Sequence, residues 1–129
     1  MEHDSYYYYQ LGEESVRKQE IDAAVRYYLK SVRLSRHFKT YERLYECYCR
    51  QGEQELADYF LELAYEENQN NDQVACLYAQ CLLREKQEGR AKEILLRIIR
   101  RNPDYKKART VYEELLQFSL GLCTTLQSP

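Results

Sequence analysis

Ala24, Ala57 and Ala91 recur at intervals of 33 and 34 residues, and an apolar pattern recurs with them. Four residues after each stands a bulky apolar side chain: Tyr28, Leu61 and Leu95. Upstream, Tyr8, Tyr41 and Ala75 keep the same two intervals, as do Leu11, Leu44 and Tyr78. A period near 34 is the signature of stacked helix–turn–helix units. Such units pack mainly against their neighbours and share a long exposed surface. Few other sequence features restrict the fold so tightly.

The rest of the chain agrees with a helical array. Glycine and proline are scarce (4 and 2 residues), and no alternating Val/Ile run suggests a strand. The first hairpin is expected to place a helix over about Ser5 to Lys18, with Asp4 or Ser5 as N-cap. Its inner stripe would be Tyr8, Leu11, Gly12 and Ser15. Gly12 costs about 1 kcal/mol of helix propensity against alanine. A residue without a Cβ there allows a neighbouring helix to come close. The return helix would begin near Asp22, read as its N-cap, and bury Ala24, Val25, Tyr28, Leu29 and Val32. Those spacings of three and four define one helix face.

The second hairpin reads as Thr40 to Arg50, ended by Gly52, and Gln54 to Asn68. Its inner residues would be Tyr41, Leu44, Tyr45 and Tyr48, then Leu56, Ala57, Phe60, Leu61 and Ala64. The third reads as Gln73 to Arg84 and Gly89 to Arg101, with Pro103 as the stop. A seventh helix over about Asp104 to Phe118 has the apolar stripe Ala108, Val111, Tyr112, Leu115 and Leu116. Its other side is polar, as the last element of an array requires. Residues 119–129 read as a loose tail.

In register, these residues resemble the tetratricopeptide repeat, whose pattern is W-x₂-L-G-x₂-Y…A-x₃-F…P. The first repeat (about 5–37) offers Tyr8, Leu11, Gly12, Ser15, Ala24 and Tyr28, with Arg36 where the family often has proline. The second (38–71) offers Tyr41, Leu44, Tyr48, Ala57 and Leu61, with Tyr45 in place of the glycine. The third (72–105) offers Ala75, Tyr78, Ala79, Leu82, Ala91, Leu95 and Pro103. The resemblance covers residues 5–120 and implies one all-α domain. That domain would be a right-handed superhelical solenoid of antiparallel helix pairs, with about seven helices including the capping helix at 104–118.

The resemblance also implies a concave groove lined by the first helix of each pair, which takes a peptide or a partner helix. By register its residues would be Tyr6, Tyr9, Glu13 and Arg17 from the first repeat. Lys39, Glu42, Glu46, Cys49 and Arg50 would come from the second, and Gln73, Cys76, Gln80, Leu83 and Arg84 from the third. One branch of the family clamps the terminal carboxylate of chaperone tails with Lys, Asn and Arg. The matching places here hold Tyr9, Glu13, Arg43, Gln73 and Leu77, which speaks against that ligand.

Other constellations have plainer explanations. Arg17, Arg50 and Arg84 recur at 33 and 34, each four residues after Glu13, Glu46 and Gln80. Glu–Arg pairs at i,i+4 support a helix by about 0.2–0.5 kcal/mol, so a ladder of surface ion pairs competes with a ligand-contacting wall. The run Tyr6 to Tyr9 samples every side of a helix, so only Tyr8 is expected in the core. Tyr6 and Tyr9 would face the groove mouth, where an apolar ring with a polar tip suits an interface. Cys47 and Cys49 are turned by about 200° from each other, and Cys76 and Cys81 by about 140°. Neither pair converges as tetrahedral zinc ligands must, so no metal or other cofactor is expected.

Composition excludes further classes. The formal net charge is −2, which by itself draws neither nucleic acid nor membrane. Charge is uneven: residues 1–83 hold 9 basic and 15 acidic residues, residues 84–129 hold 10 and 6. The basic surplus around Arg97, Arg100, Arg101, Lys106, Lys107 and Arg109 reads as a solvated face. Five cysteines in no framework spacing, with a polar, Tyr-rich start, suggest a reducing, cytoplasmic setting. No phosphate loop, nucleophile elbow or His-paired nucleophile appears, so no enzyme or small-molecule substrate is expected. The expected function is a protein-interaction scaffold. Self-association through the last helix and tail (Phe118, Leu120, Leu122, Leu126), or a secretion-type chaperone for an unfolded client segment, are the alternatives.

Overall fold

The computed structural model describes residues 3–119; the expectations for the tail fall outside them, apart from Ser119, which closes the last helix. Seven α-helices follow one another: α1 (Ser5–Arg17), α2 (Ile21–Leu34), α3 (Phe38–Arg50), α4 (Gln54–Glu67), α5 (Asp72–Arg84), α6 (Glu88–Arg101) and α7 (Lys106–Ser119). Among the described residues all regular secondary structure is helical. The chain divides into two compact units, residues 1–69 with α1–α4 and residues 70–129 with α5–α7.

The helix ends obey one rule in three places. After α1, the Gln19 amide donates to Val16 O at 2.9 Å and the Glu20 amide to Ser15 O at 2.8 Å. After α3, Gly52 donates to Cys49 O at 3.1 Å and Glu53 to Tyr48 O at 2.9 Å. After α5, Lys86 donates to Leu83 O at 3.0 Å and Gln87 to Leu82 O at 2.8 Å. This is the Schellman arrangement, which needs a left-handed residue just past the helix. Gln19, Gly52 and Lys86 hold that place with φ of 61°, 74° and 63°. Glycine adopts this conformation freely, whereas Gln19 and Lys86 carry a Cβ in a crowded position.

The same turn starts the next helix. Glu20, Glu53 and Gln87 close the Schellman ring, and their carbonyls accept from Ala24, Ala57 and Ala91 at 3.0, 2.9 and 3.1 Å. One residue thus ends one helix and begins the next, with no side-chain cap needed. The expectation that Asp22 caps α2 is therefore corrected: Glu20 is the cap residue, and Asp22 lies in the first turn. Side-chain caps occur instead at Asp4, which accepts from the Tyr7 amide at 2.9 Å, and at Asn71, which accepts from Val74 at 2.9 Å.

The recurrent alanines sit on the fourth residue of α2, α4 and α6, and all three are fully buried. Within the first unit, α1 and α2 are antiparallel: Ser31 near the end of α2 donates its hydroxyl to Ser5 O at the start of α1, at 2.7 Å. Midway along, a Cβ on Gly12 would lie 2.5 Å from Cε1 of Tyr28. The missing side chain therefore admits the Tyr28 ring, which is completely buried. Tyr41 and Tyr48 stack on Phe60 from α4, and Leu44 and Leu61 complete the interior. Burial of each such leucine contributes about 1.5–3 kcal/mol.

In the second unit α5 is buried on most of its circumference, through Val74, Ala75, Cys76, Tyr78, Ala79, Cys81 and Leu82. Helices α6 and α7 both pack on it, supplying Ile94, Leu95 and Ile98, then Ala108, Val111 and Leu115. Burial departs from the expected stripes at several positions, of which three are informative. Leu56 is 42% exposed, because it lies beside Ala57 in the first turn of α4, off the buried stripe. Tyr8 is only half-buried, between the Lys30 ammonium at 5.2 Å and the rings of His3 and Tyr7. Tyr65, not expected inside, is buried.

Candidate functional site

The candidate surface of the first unit is built on α1 and α3. Helix α2 runs antiparallel to its predecessor and connects by a short turn to α3, so α1 and α3 point the same way. Their register is marked by Glu13 and Arg43. Glu13 Oε1 accepts from the Tyr28 hydroxyl at 2.5 Å and from Arg43 Nε at 2.8 Å. One carboxylate on α1 thereby holds α2 and α3. Arg43 also reaches both oxygens of Glu46 at 3.3 Å.

These bonds involve ionised groups, at one end for Tyr28–Glu13 and at both for the Arg43 pairs, which makes them about twice as strong as neutral ones. Burial disfavours the Glu13 charge, but the Tyr28 hydroxyl and Arg43 outweigh it and hold the carboxyl below its usual range. Burial and the same carboxylate push the Tyr28 hydroxyl far above the ordinary tyrosine value. Burial followed by the Glu13 charge also raises Tyr9.

The expected ladder of Glu–Arg pairs along each helix does not form in this unit. Glu13 pairs with Arg43, thirty residues away, and Glu46 pairs with Arg43 one turn back. Arg17 and Arg50 therefore have no carboxylate within ion-pair distance among the described residues, and both are exposed. Lys39 folds over Glu42 at 2.8 Å, leaving Glu42 only 7% exposed. Glu42 is thus closed off by its own neighbour rather than open to a ligand. The two thiols of α3 separate as their spacing implies: Cys49 is exposed and Cys47 buried, its pKa pushed up to about 11 by burial.

At the start of the same surface, Tyr6, Tyr9 and His37 form an aromatic cleft of about 180 Å³ with Ser5, Ser31 and Thr40. Tyr6 and Tyr9 stack with centroids 6.5 Å apart, and Tyr9 meets the His37 ring at 6.3 Å. Tyr6 is 65% exposed. Sequence reasoning missed His37 and Thr40, because both lie at the start of α3, where helical register gave no cue to a cleft.

In the second unit Gln73 and Arg84 are exposed and Gln80 is half-exposed. Cys76 is fully buried and so is not an open groove position. It is one of seven buried residues of α5, on which both α6 and α7 pack, and Lys107 of α7 and Tyr105 just before that helix lie near enough to interact electrostatically with the thiol. Gln80, Leu83 and Arg84 border a cleft of about 490 Å³ with Val111, Leu115 and Phe118. Asp72 at the head of α5 binds Arg101 and Asn102 at the end of α6, which offsets its burial and lowers its pKa. No helix among the described residues is long and apolar enough to cross a membrane.

Solved structures share this architecture. The first tetratricopeptide domain of Spaghetti (RPAP3), bound to an HSP90 peptide, superposes with a TM-score of 0.70 at 14% identity, over 91% of this chain and 94% of that one. The Sgt2 domain of Aspergillus fumigatus gives 0.67 at 14% identity, over 97% and 85%. The Yersinia enterocolitica secretion chaperone SycD, in complex with a peptide of the translocator YopD, gives 0.62 at 17% identity, over 87% and 88%. No curated protein matches the chain in sequence. The tetratricopeptide repeat profile matches residues 50–115, half of the chain. With seven helices in that arrangement and the matched repeat pattern, the chain belongs to the tetratricopeptide repeat family.

Proposed function

We propose that this protein is an interaction module, not an enzyme, and that it holds a peptide or partner helix against the first helix of each pair. The observation that carries the reading is the α1/α3 surface. Tyr6, Tyr9, Arg17, Lys39, Glu46 and Arg50 project from a backbone already fixed by the Glu13–Tyr28–Arg43 bonds. A surface ordered before binding loses less freedom when a ligand arrives. Gln73, Gln80 and Arg84 hold the same register on α5 and are proposed as the binding residues of the second unit. Two of the structurally similar domains were solved with peptides, which supports a peptide-type ligand here. Tyr9, Glu13 and Arg43 stand where the chaperone-tail clamp would be, which argues against a free terminal carboxylate as the anchor. A soluble, cytoplasmic setting accords with the free thiols of the described residues.

The test is an affinity capture from the native host read by mass spectrometry, repeated with Tyr9→Ala and Arg50→Glu combined. A partner retained by the parent and lost by the double variant supports the reading. A partner bound equally by both removes the α1/α3 surface from it. Self-association is a second reading, favoured by Phe118, which is 62% exposed beside the cleft of the second unit. Sedimentation of Phe118→Ser decides it: a dimer that becomes a monomer supports self-association, and a monomeric parent ends it.

A further inference from the structure

We propose that the α1/α3 surface recognises an extended segment carrying one large apolar side chain and, four to five positions away, one carboxylate side chain. The apolar group would sit between Tyr6, Tyr9 and His37, and the carboxylate at Arg17 and Arg50. This rests on the binding-module reading and adds the chemistry of the ligand.

The cleft favours an apolar occupant. Its walls are rings, the Ser31 hydroxyl is already spent on Ser5 O, and Thr40 is nearly inaccessible. At about 180 Å³ it holds the liquid volume of roughly six waters, which suits one side chain and not a helix.

The other end of the surface favours a negative charge. Arg17 and Arg50 end α1 and α3 at equivalent places and have no carboxylate partner among the described residues. Between cleft and arginines, Arg43 is shared by Glu13 and Glu46 while Lys39 serves Glu42, so two cations face three carboxylates and the positive charge of the surface is concentrated at its far end, on Arg17 and Arg50. Arg17 acts on Glu13 only at longer range than an ion pair, so both guanidinium groups keep their direct contacts open to a ligand.

Geometry sets the spacing. Arg17 lies 8 residues beyond Tyr9 and 11 beyond Tyr6, about 12 and 16 Å along the helix. An extended chain covers about 3.3 Å per residue, so four to five residues bridge the gap. A competing role for Arg17 and Arg50 is to complement the negative helix ends, and that role would not select a ligand.

The experiment selects binders from a phage-displayed library of random dodecapeptides on the full chain. The best are then measured as end-capped synthetic peptides by fluorescence anisotropy. The expected outcome is enrichment of an aromatic or aliphatic residue with Asp or Glu four to five positions away, in one chain direction. Changing that Asp to Asn should weaken binding about fivefold, as a partly exposed charge pair would. Arg17→Glu with Arg50→Glu should instead select Lys or Arg at the same spacing, which a merely structural arginine would not cause. Tyr6→Ser should weaken all of these peptides alike. Enrichment without an acidic residue, insensitivity to spacing, or no enrichment overturns the proposal. The binding-module reading is judged separately by the captured partner, so the two fail by different results.

Discussion

Replacing Gly12 by alanine separates helix propensity from close packing. In an isolated helix the change is favourable by about 1 kcal/mol. Here the new Cβ would lie 2.5, 2.6 and 2.9 Å from Cε1, Cδ1 and Cζ of Tyr28. Carbon atoms at rest are about 3.5–4.0 Å apart, so the ring or the helix must shift by about 1 Å. The ring cannot simply withdraw. It is fully buried, and its hydroxyl is tied to Glu13, itself held by Arg43. Overpacking of this kind costs about 1–3 kcal/mol, and a hydrogen bond to a charged group about 1.5–3 if it is lost. With a mid-range clash, partial weakening of that bond and the propensity gain, Gly12→Ala should destabilise by about 2 kcal/mol.

The third hairpin supplies the control. It has Ala79 and Leu95 where the first has Gly12 and Tyr28. In a Tyr28→Leu background, Gly12→Ala should therefore be neutral or stabilising by up to about 1 kcal/mol. Urea unfolding followed by circular dichroism at unchanged slope measures all four proteins. A Gly12→Ala protein as stable as the parent, or a loss of equal size in both backgrounds, would refute the argument.

Three further outcomes follow from the same structure. Gln19→Gly and Lys86→Gly relieve left-handed strain and should each stabilise by about 0.5–1 kcal/mol, seen as a higher urea midpoint, whereas Gly52→Ala should lose about 1 kcal/mol; a lower midpoint for either glycine variant contradicts this. Glu13 has a folded pKa below its unfolded one, so its contribution is present above the ordinary glutamate range near ~4.3 and is lost as pH falls through the folded value. Stability should thus drop in acid, and Glu13→Gln should show a shallower drop between neutral pH and acid; an identical pH profile would contradict the assignment. In a Cys123→Ser background a thiol reagent should modify Cys49 in the native protein, and Cys47, Cys76 and Cys81 only on unfolding; rapid native labelling of more than one thiol would overturn the burial pattern.

The repeat, the hairpins and most of the core were legible in the residue order. Burial on a helix follows a 3.6-residue period, and each hairpin repeats its neighbour's pattern, so Ala24, Ala57 and Ala91 declared both phase and partner. Gly12 was legible for the same reason: a residue that penalises a helix, placed on its buried face, announces close approach. The helix boundaries were readable to within two residues, but not the device that sets them. A Schellman turn shared by two helices uses backbone groups, and Gln19 and Lys86 carry no mark of a left-handed conformation.

Only the tertiary structure decided where charge is spent and which side chains stay open. A glutamate has several cations within reach, and the choice depends on distances across helices that are absent from a linear pattern. Glu13 lies one turn from Arg17 yet bonds Arg43 and Tyr28, because α2 and α3 bring those groups to it in a half-buried place where a charged bond is stronger. That choice leaves Arg17 and Arg50 without a carboxylate at ion-pair distance among the described residues. In the same way Cys76, placed at an open position by register, is fully buried on a helix that packs against both α6 and α7. Periodicity tells a helix which face to bury; packing alone determines what is left on the other.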